Sequence, residues 1–213
     1  MTAPPSVSRR ILAVAAIAAL SGCASLFVSP PPKYIFRLTP VATFSPDLPR
    51  VRALLRVELP TAPAALDRRR IALTRSAISL DYFADAEWAD TLSAMVQTVL
   101  TDSFENSRAI TVIGGSLGLR ADFVLGTELR HFEAQYGAVG GPPAALVGIA
   151  AKLAKIPQNE VVAEERFERQ IRAAGNDLPN IASAFDAAQQ AVAAEIVAWT
   201  LRNAAGRGTR PRL

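Results

Sequence analysis

Cys23, Ser116 and His131 are the residues of this 213-residue chain whose types could carry covalent or proton-transfer chemistry. Cys23 is the one cysteine, which excludes an intramolecular disulfide and a thiolate-rich zinc site. His131 is the one histidine, which excludes His-rich metal chemistry. Ser116 sits in Gly114-Gly115-Ser116-Leu117-Gly118, a Gly-x-Ser-x-Gly pattern. In a hydrolase that pattern is a strand-turn-helix elbow presenting the serine. Such a serine needs a base in hydrogen-bond reach and an acid to orient the base. Here the run through Phe123-Val124-Leu125 reads as another strand, and His131 lies along it. The pattern therefore reads as a glycine-rich β-turn. Glu128 and Glu133 are expected on opposite strand faces, so they form no acid/base pair unless the chain bends. The glycines lack a Gly-Lys-Ser/Thr ending, and no Gly-x-Gly-x-x-Gly opens a helix, so a nucleotide site is unsupported. No catalytic, cofactor-binding or metal set emerges.

The lone cysteine closes a distinctive leader. Arg9-Arg10 precede ten uncharged apolar residues, Ile11 to Leu20. A spanning helix needs about 20 such residues, so this is the length of a signal-peptide core with its basic flank. Leu20-Ser21-Gly22-Cys23 follows directly and resembles the lipobox of bacterial lipoproteins. That resemblance implies cleavage before Cys23 and acylation of its sulfur with palmitate-class chains. Two or more acyl chains, at about 0.8 kcal/mol per buried methylene, hold a protein on a bilayer where one does not. Ala24, rather than Asp, implies by the same resemblance export to the outer membrane, facing the periplasm.

Loss of residues 1–22 leaves 191 residues, in which 21 bases face 19 acids. So small an excess gives no support to a nucleic-acid partner. Residues 23–33 read as a lipidated tether stiffened by Pro30-Pro31-Pro32. Residues 205–213 read as a basic disordered tail carrying Arg207, Arg210 and Arg212.

The span 34–204 reads as one domain. Tyr34–Leu38 and Val51–Leu59 are expected strands, and Ile71–Thr74 and Ala77–Phe83 short extended runs. Asp85 looks like the N-cap of a helix with Trp88, Leu92, Met95, Val96, Val99, Leu100 and Phe104 at helical spacing, ending near Asn106. Ile110–Ile113 is a strand. In a longer strand, Phe123 to Phe132, alternation puts Phe123, Leu125, Thr127, Leu129 and His131 on one face. Ala145–Ile156 and Val161–Arg172 form a hairpin, with Val161, Ala163, Phe167 and Ile171 inward and Val162 outward. Its charged residues, Glu164, Glu165, Arg166, Glu168 and Arg169, read as a solvated sheet face, and Arg68-Arg69-Arg70 as a solvated loop end. A last helix, 180–204, carries Ile181, Phe185, Ala188, Val192, Ile196 and Trp199 on one stripe. Strands with two long helices argue for an α/β class: a single domain, a mixed sheet with both amphipathic helices packed on it.

Taken in order, the lipobox, Tyr34-Ile35-Phe36-Arg37-Leu38, Leu55-Arg56-Val57-Glu58-Leu59-Pro60, the Trp88 segment, Ala121 to Leu129 with Phe132, and Ala184-Phe185 with Trp199 resemble the ABC-type transport auxiliary lipoprotein family, the PqiC-like lipoproteins. The resemblance implies a fold like the N-terminal domain of TolB. It also implies a non-enzymatic outer-membrane lipoprotein. Its partners would be an MCE-domain protein and an ABC transporter permease and ATPase, moving lipids or hydrophobic compounds and serving membrane integrity. Only Cys23, the lipid-attachment residue, carries over with a role. The membrane is reached through acylated Cys23, nucleic acid is not a partner, no cofactor is implied, and a homo-oligomer is left open. The competing readings are a lipid-anchored periplasmic serine hydrolase using Ser116 and the solute-binding lipoprotein of an ABC importer.

Overall fold

The fold is organised by one long strand and what lines its two edges. The computed structural model describes residues 34–114, 119–137 and 140–206, all within one compact unit. Its strands are β1 (Tyr34–Phe36), β2 (Leu54–Val57), β3 (Arg70–Ser76), β4 (Ser79–Trp88), β5 (Thr111–Val112), β6 (Phe123–Gln135), β7 (Ala144–Lys155) and β8 (Glu160–Arg172). Its helices are α1 (Leu92–Ser107) and α2 (Leu178–Ala205). On one edge of β6, β7 pairs antiparallel from Phe123↔Lys155 to Gln135↔Ala144, and β8 pairs antiparallel with β7. The other edge of β6 is filled end to end by three parallel segments. They are β2 (Val57↔Leu125), the single bridge Thr61↔Glu128, and β3 (Leu73↔Ala134). β5 extends the sheet beyond β2, while β4 and then β1 extend it beyond β3. The result is the expected mixed sheet.

Alternation selects what lies under the helices. Phe123, Leu125, Leu129 and Phe132 of β6, and Val147, Ile149, Ala151 and Leu153 of β7, are all almost fully buried. α2 lies across β7, β8 and β6, and α1 beside β2 and β5, and the two helices touch each other. The predicted stripe on α2 is buried throughout. At the centre, the Phe185 ring meets Trp88 edge-on at 5.4 Å and stacks on Phe132 at 5.2 Å. Such pairs contribute roughly 0.5–1.5 kcal/mol each beyond area burial.

Four expectations are corrected. Asp85 and Trp88 belong to β4, and α1 begins later, at Leu92, with Thr91 as its N-cap. Trp88 ends a strand and packs under α2, so its spacing to Leu92 and Met95 mimicked a helical stripe without being one. His131 does not share a face with Leu129. A register shift between Leu129 and His131 inserts one extra residue, a β-bulge that reverses the alternation. His131 is exposed and Phe132 buried. The same bend puts Glu128 and Glu133 on one face instead of two, in line with the condition attached to them. In β8, opposite Leu153 and Ala154 of β7, a register shift makes Val162 the extra residue: Val162 is buried and Val161 is 57% exposed. Of the three arginines expected on a loop end, Arg70 starts β3 and lies 4.4 Å over the Tyr82 ring.

Candidate functional site

The residues that tie the start of the domain to its body form a densely hydrogen-bonded long-range site. β1 is only three residues long and pairs parallel with β4, Tyr34 beside Ala86. So short a strand holds weakly by itself. The next segment is clamped by side chains from both helices. The Asp186 carboxylate on α2 accepts from the Thr39 backbone N–H and the Thr39 hydroxyl, both at 2.7 Å. Gln190, one turn along, donates its amide to Thr39 Oγ1 at 2.7 Å and to Asp186 Oδ2 at 3.0 Å. From α1, Ser103 Oγ accepts from the Val41 N–H at 3.0 Å, and Asn106 Nδ2 donates to the Val41 carbonyl at 2.9 Å. A cleft of about 380 Å³ lies between residues 37–40 and α1, with Arg37 on one wall and Met95 and Asp102 on the other. None of these clamp residues stood out in the sequence. Asp186 sits one place from the buried Phe185, and that adjacency was the available signal.

Cys23 and Ser116 lie outside the described residues. The residues on either side of 115–118 are described. Ile113 N donates to Leu55 O, and Leu119 O accepts from Arg56, both at the end of the sheet where β6 begins. His131 lies eight residues along β6 from Phe123, roughly 26 Å at the strand rise. His131 Nδ1 is 3.0 Å from Glu133 Oε1, so its partner is a carboxylate. Glu133 is nearly buried and its other oxygen accepts the Phe132 N–H at 2.7 Å. That amide adjoins the bulge, so Glu133 holds the bend. Gly148 lies opposite His131 in the register, and a Cβ there would meet His131 Cδ2 at 3.1 Å. The histidine thus rests over a glycine in a surface row with Glu168. Among the described residues, no group of three or more His, Cys, Asp or Glu could hold a metal ion. Among the same residues, no helix is long and apolar enough to cross a membrane.

The N-cap of α2 is Asp177, whose side chain accepts from Asn180 N at 3.1 Å. The Asn180 side chain also donates to it, and these hydrogen bonds hold the Asp177 carboxyl below its ordinary value. At the opposite end of β6 from the Ser116 turn, Tyr136 O–H donates to Asn176 Oδ1 at 2.9 Å, and Arg75 lies 4.7 Å over its ring. Burial raises the Tyr136 hydroxyl above its ordinary value, opposed by the Arg75 charge.

The whole framework from β1 to α2 matches a known pattern. The family model described as ABC-type transport auxiliary lipoprotein component matches residues 36–197. The chain belongs to this family. Among solved structures, a Xanthomonas campestris protein is similar with a TM-score of 0.74 at 30% identity, over 81% of this chain and 98% of that one. A hypothetical protein of Chlamydia trachomatis shares the fold at a TM-score of 0.52 and 13% identity, over 73% of this chain and 99% of its own. An uncharacterized protein of Bradyrhizobium diazoefficiens is 29% identical over 175 residues, 81% of this chain. This auxiliary-component chain spans 46% of that relative's length. The single mixed-sheet domain with two helices is thus common to the family and to its solved relative.

Proposed function

We propose that this chain is a periplasm-facing lipoprotein, anchored in the outer membrane through acylated Cys23, that serves as the non-enzymatic auxiliary component of an ABC transport system. The observation that carries the reading is the family match over residues 36–197, directly downstream of the leader ending in Leu20-Ser21-Gly22-Cys23. The transporter's partners would be an MCE-domain protein with the permease and ATPase, and its cargo lipids or hydrophobic compounds. The clamp at Thr39 and Val41 supports this role. A body moored by its N-terminus passes any pull to β1, and side chains from both helices back that strand up. His131 lies roughly 26 Å along β6 from Phe123, the strand end that follows the glycine-rich segment, which gives the serine-hydrolase reading no support.

The test is mass spectrometry of the protein from native membranes, with sucrose-gradient fractionation and affinity capture. We expect a mature chain starting at acylated Cys23, in the outer-membrane fraction, recovering MCE and ABC subunits. Cys23→Ser should leave the leader attached. A native chain with its leader intact, or with a free thiol, refutes the anchor. Capture that recovers no transport subunit refutes the role.

A further inference from the structure

The β3–β4 hairpin ends in a feature that folding does not call for. Its connection is two residues, Ala77-Ile78, between Ser76 and Ser79. Two-residue turns favour Asn-Gly or glycine, not a branched apolar residue. Ile78 is 98% exposed and Leu80, two residues on, is 38% exposed. Ser76, Ala77 and Ser79 between them carry no charge, and the tip is flanked by Arg75 on one strand and Asp81 on the other. The base of the hairpin is held: Tyr136 N donates to Thr74 O at 2.9 Å, and Arg75 lies over the Tyr136 ring. The two apolar side chains are therefore presented on a braced support, away from the core.

Strand direction says what they face. β4 runs away from its tip, and β1 runs parallel to it. The N-terminal end of β1 therefore faces the hairpin-tip side. Tyr34 pairs with Ala86, eight residues from Ile78, or roughly 26 Å along the strand. Ten residues separate Cys23 from Tyr34, and a proline-stiffened segment of that length reaches about 30 Å. By chain length alone, a bilayer at the level of Ile78 is therefore within reach of an anchor at Cys23.

We propose that the Ile78–Leu80 hairpin tip is a second membrane contact, inserting its two apolar side chains into the interface of the bilayer that holds the acylated Cys23. The proposal rests on the lipid-anchor reading. Its partner is a lipid surface, and its effect is to fix the orientation of the body on that surface. On leaving water for the interface, the fully exposed Ile78 strengthens retention by about tenfold and the partly covered Leu80 by about threefold.

The test uses the full acylated protein on vesicles of phosphatidylethanolamine and phosphatidylglycerol. Acylation of Cys23 leaves no other thiol, so Ile78→Cys and Gln158→Cys can each be labelled with an environment-sensitive dye. Gln158 lies in the exposed β7–β8 turn, beyond Lys155 at the opposite end of β6. We expect the dye at 78 to shift to the blue on vesicles and to be quenched by headgroup nitroxides, while the dye at 158 does neither. Ile78→Ser with Leu80→Ser should together speed transfer between vesicles by roughly 30-fold, most of it from Ile78. A dye at 78 that stays as aqueous as that at 158 on floated protein overturns this proposal and leaves the anchor standing. Shielding at 78 that grows with protein concentration in the absence of lipid assigns the tip to a second copy and also overturns it. Failure of the unsubstituted protein to float overturns anchor and tip together.

Discussion

Replacing Asp186 by alanine should detach the start of the domain while leaving its core folded. The carboxylate accepts two hydrogen bonds from Thr39, one from backbone and one from side chain, each at 2.7 Å. A hydrogen bond to a charged group contributes about 1.5–3 kcal/mol net, and the lower end suits a site that is only part-buried. Gln190 still reaches Thr39 Oγ1 at 2.7 Å, so the hydroxyl keeps a partner and the backbone N–H loses its own. The expected loss is therefore about 2 kcal/mol, or roughly 30-fold in the opening equilibrium of the segment. Native-state amide exchange reads this directly. Thr39 and its neighbours should exchange about 30-fold faster, with Val41 less affected because Ser103 still holds it. Amides of Val147 and Ile149, in the middle of the sheet, should keep their rates. Unchanged exchange at Thr39 would refute the clamp. An equal acceleration in β7 would show that Asp186 supports the whole fold instead of one attachment.

Phe185→Ala removes the fully buried ring between Trp88 and Phe132. It should cost about 4 kcal/mol and lower Tm by roughly 8–16 °C in thermal melts; a loss under about 1 kcal/mol contradicts the packing. Gly148→Ala puts a Cβ 3.1 Å from His131 Cδ2, 3.2 Å from His131 Cβ and 3.4 Å from Glu168 Oε2. The ring can swing away from Glu133, but the His131 Cβ moves only with its strand, so the His131 NMR signals should shift at a stability cost of about 1–3 kcal/mol. An unmoved His131 spectrum counts against that contact. Asp177 is held below its ordinary value of 3.8 by the Asn180 hydrogen bonds. Its stabilisation is therefore present above that value and lost as pH falls through the lower folded one. Asp177→Asn should flatten this part of the acid denaturation curve, and a curve of unchanged slope sinks the assignment.

Periodicity made most of the architecture legible, because the buried stripes are long. Ile181 to Trp199 on α2 and Phe123 to Leu129 on β6 sit where alternation and helical spacing put them. The errors arose where one residue changes the phase. An extra residue near Arg130 and another at Val162 reverse the inward and outward faces, and nothing in the local side chains announces either. The pairing partner across the sheet creates a bulge, so it belongs to tertiary structure. Asp85 and Trp88 fell to a different ambiguity: an acid, an aromatic and apolar residues at spacings of three and four suit a helix and equally a strand running into one. The clamp was hidden for a third reason. Thr39 and Asp186 are 147 positions apart, and polar residues reveal such a link only when the fold brings them together.

The filling of one edge of β6 by β2, Thr61 and β3 has a consequence for the order of events in synthesis. All three segments precede β6 in the chain, yet each needs β6 as its parallel neighbour. β1 waits longer still, since its side-chain clamp includes α2, the final helix. For a polypeptide threaded out from its N-terminus, β1 and the Thr39–Val41 segment stay without their full set of partners until nearly everything else has emerged.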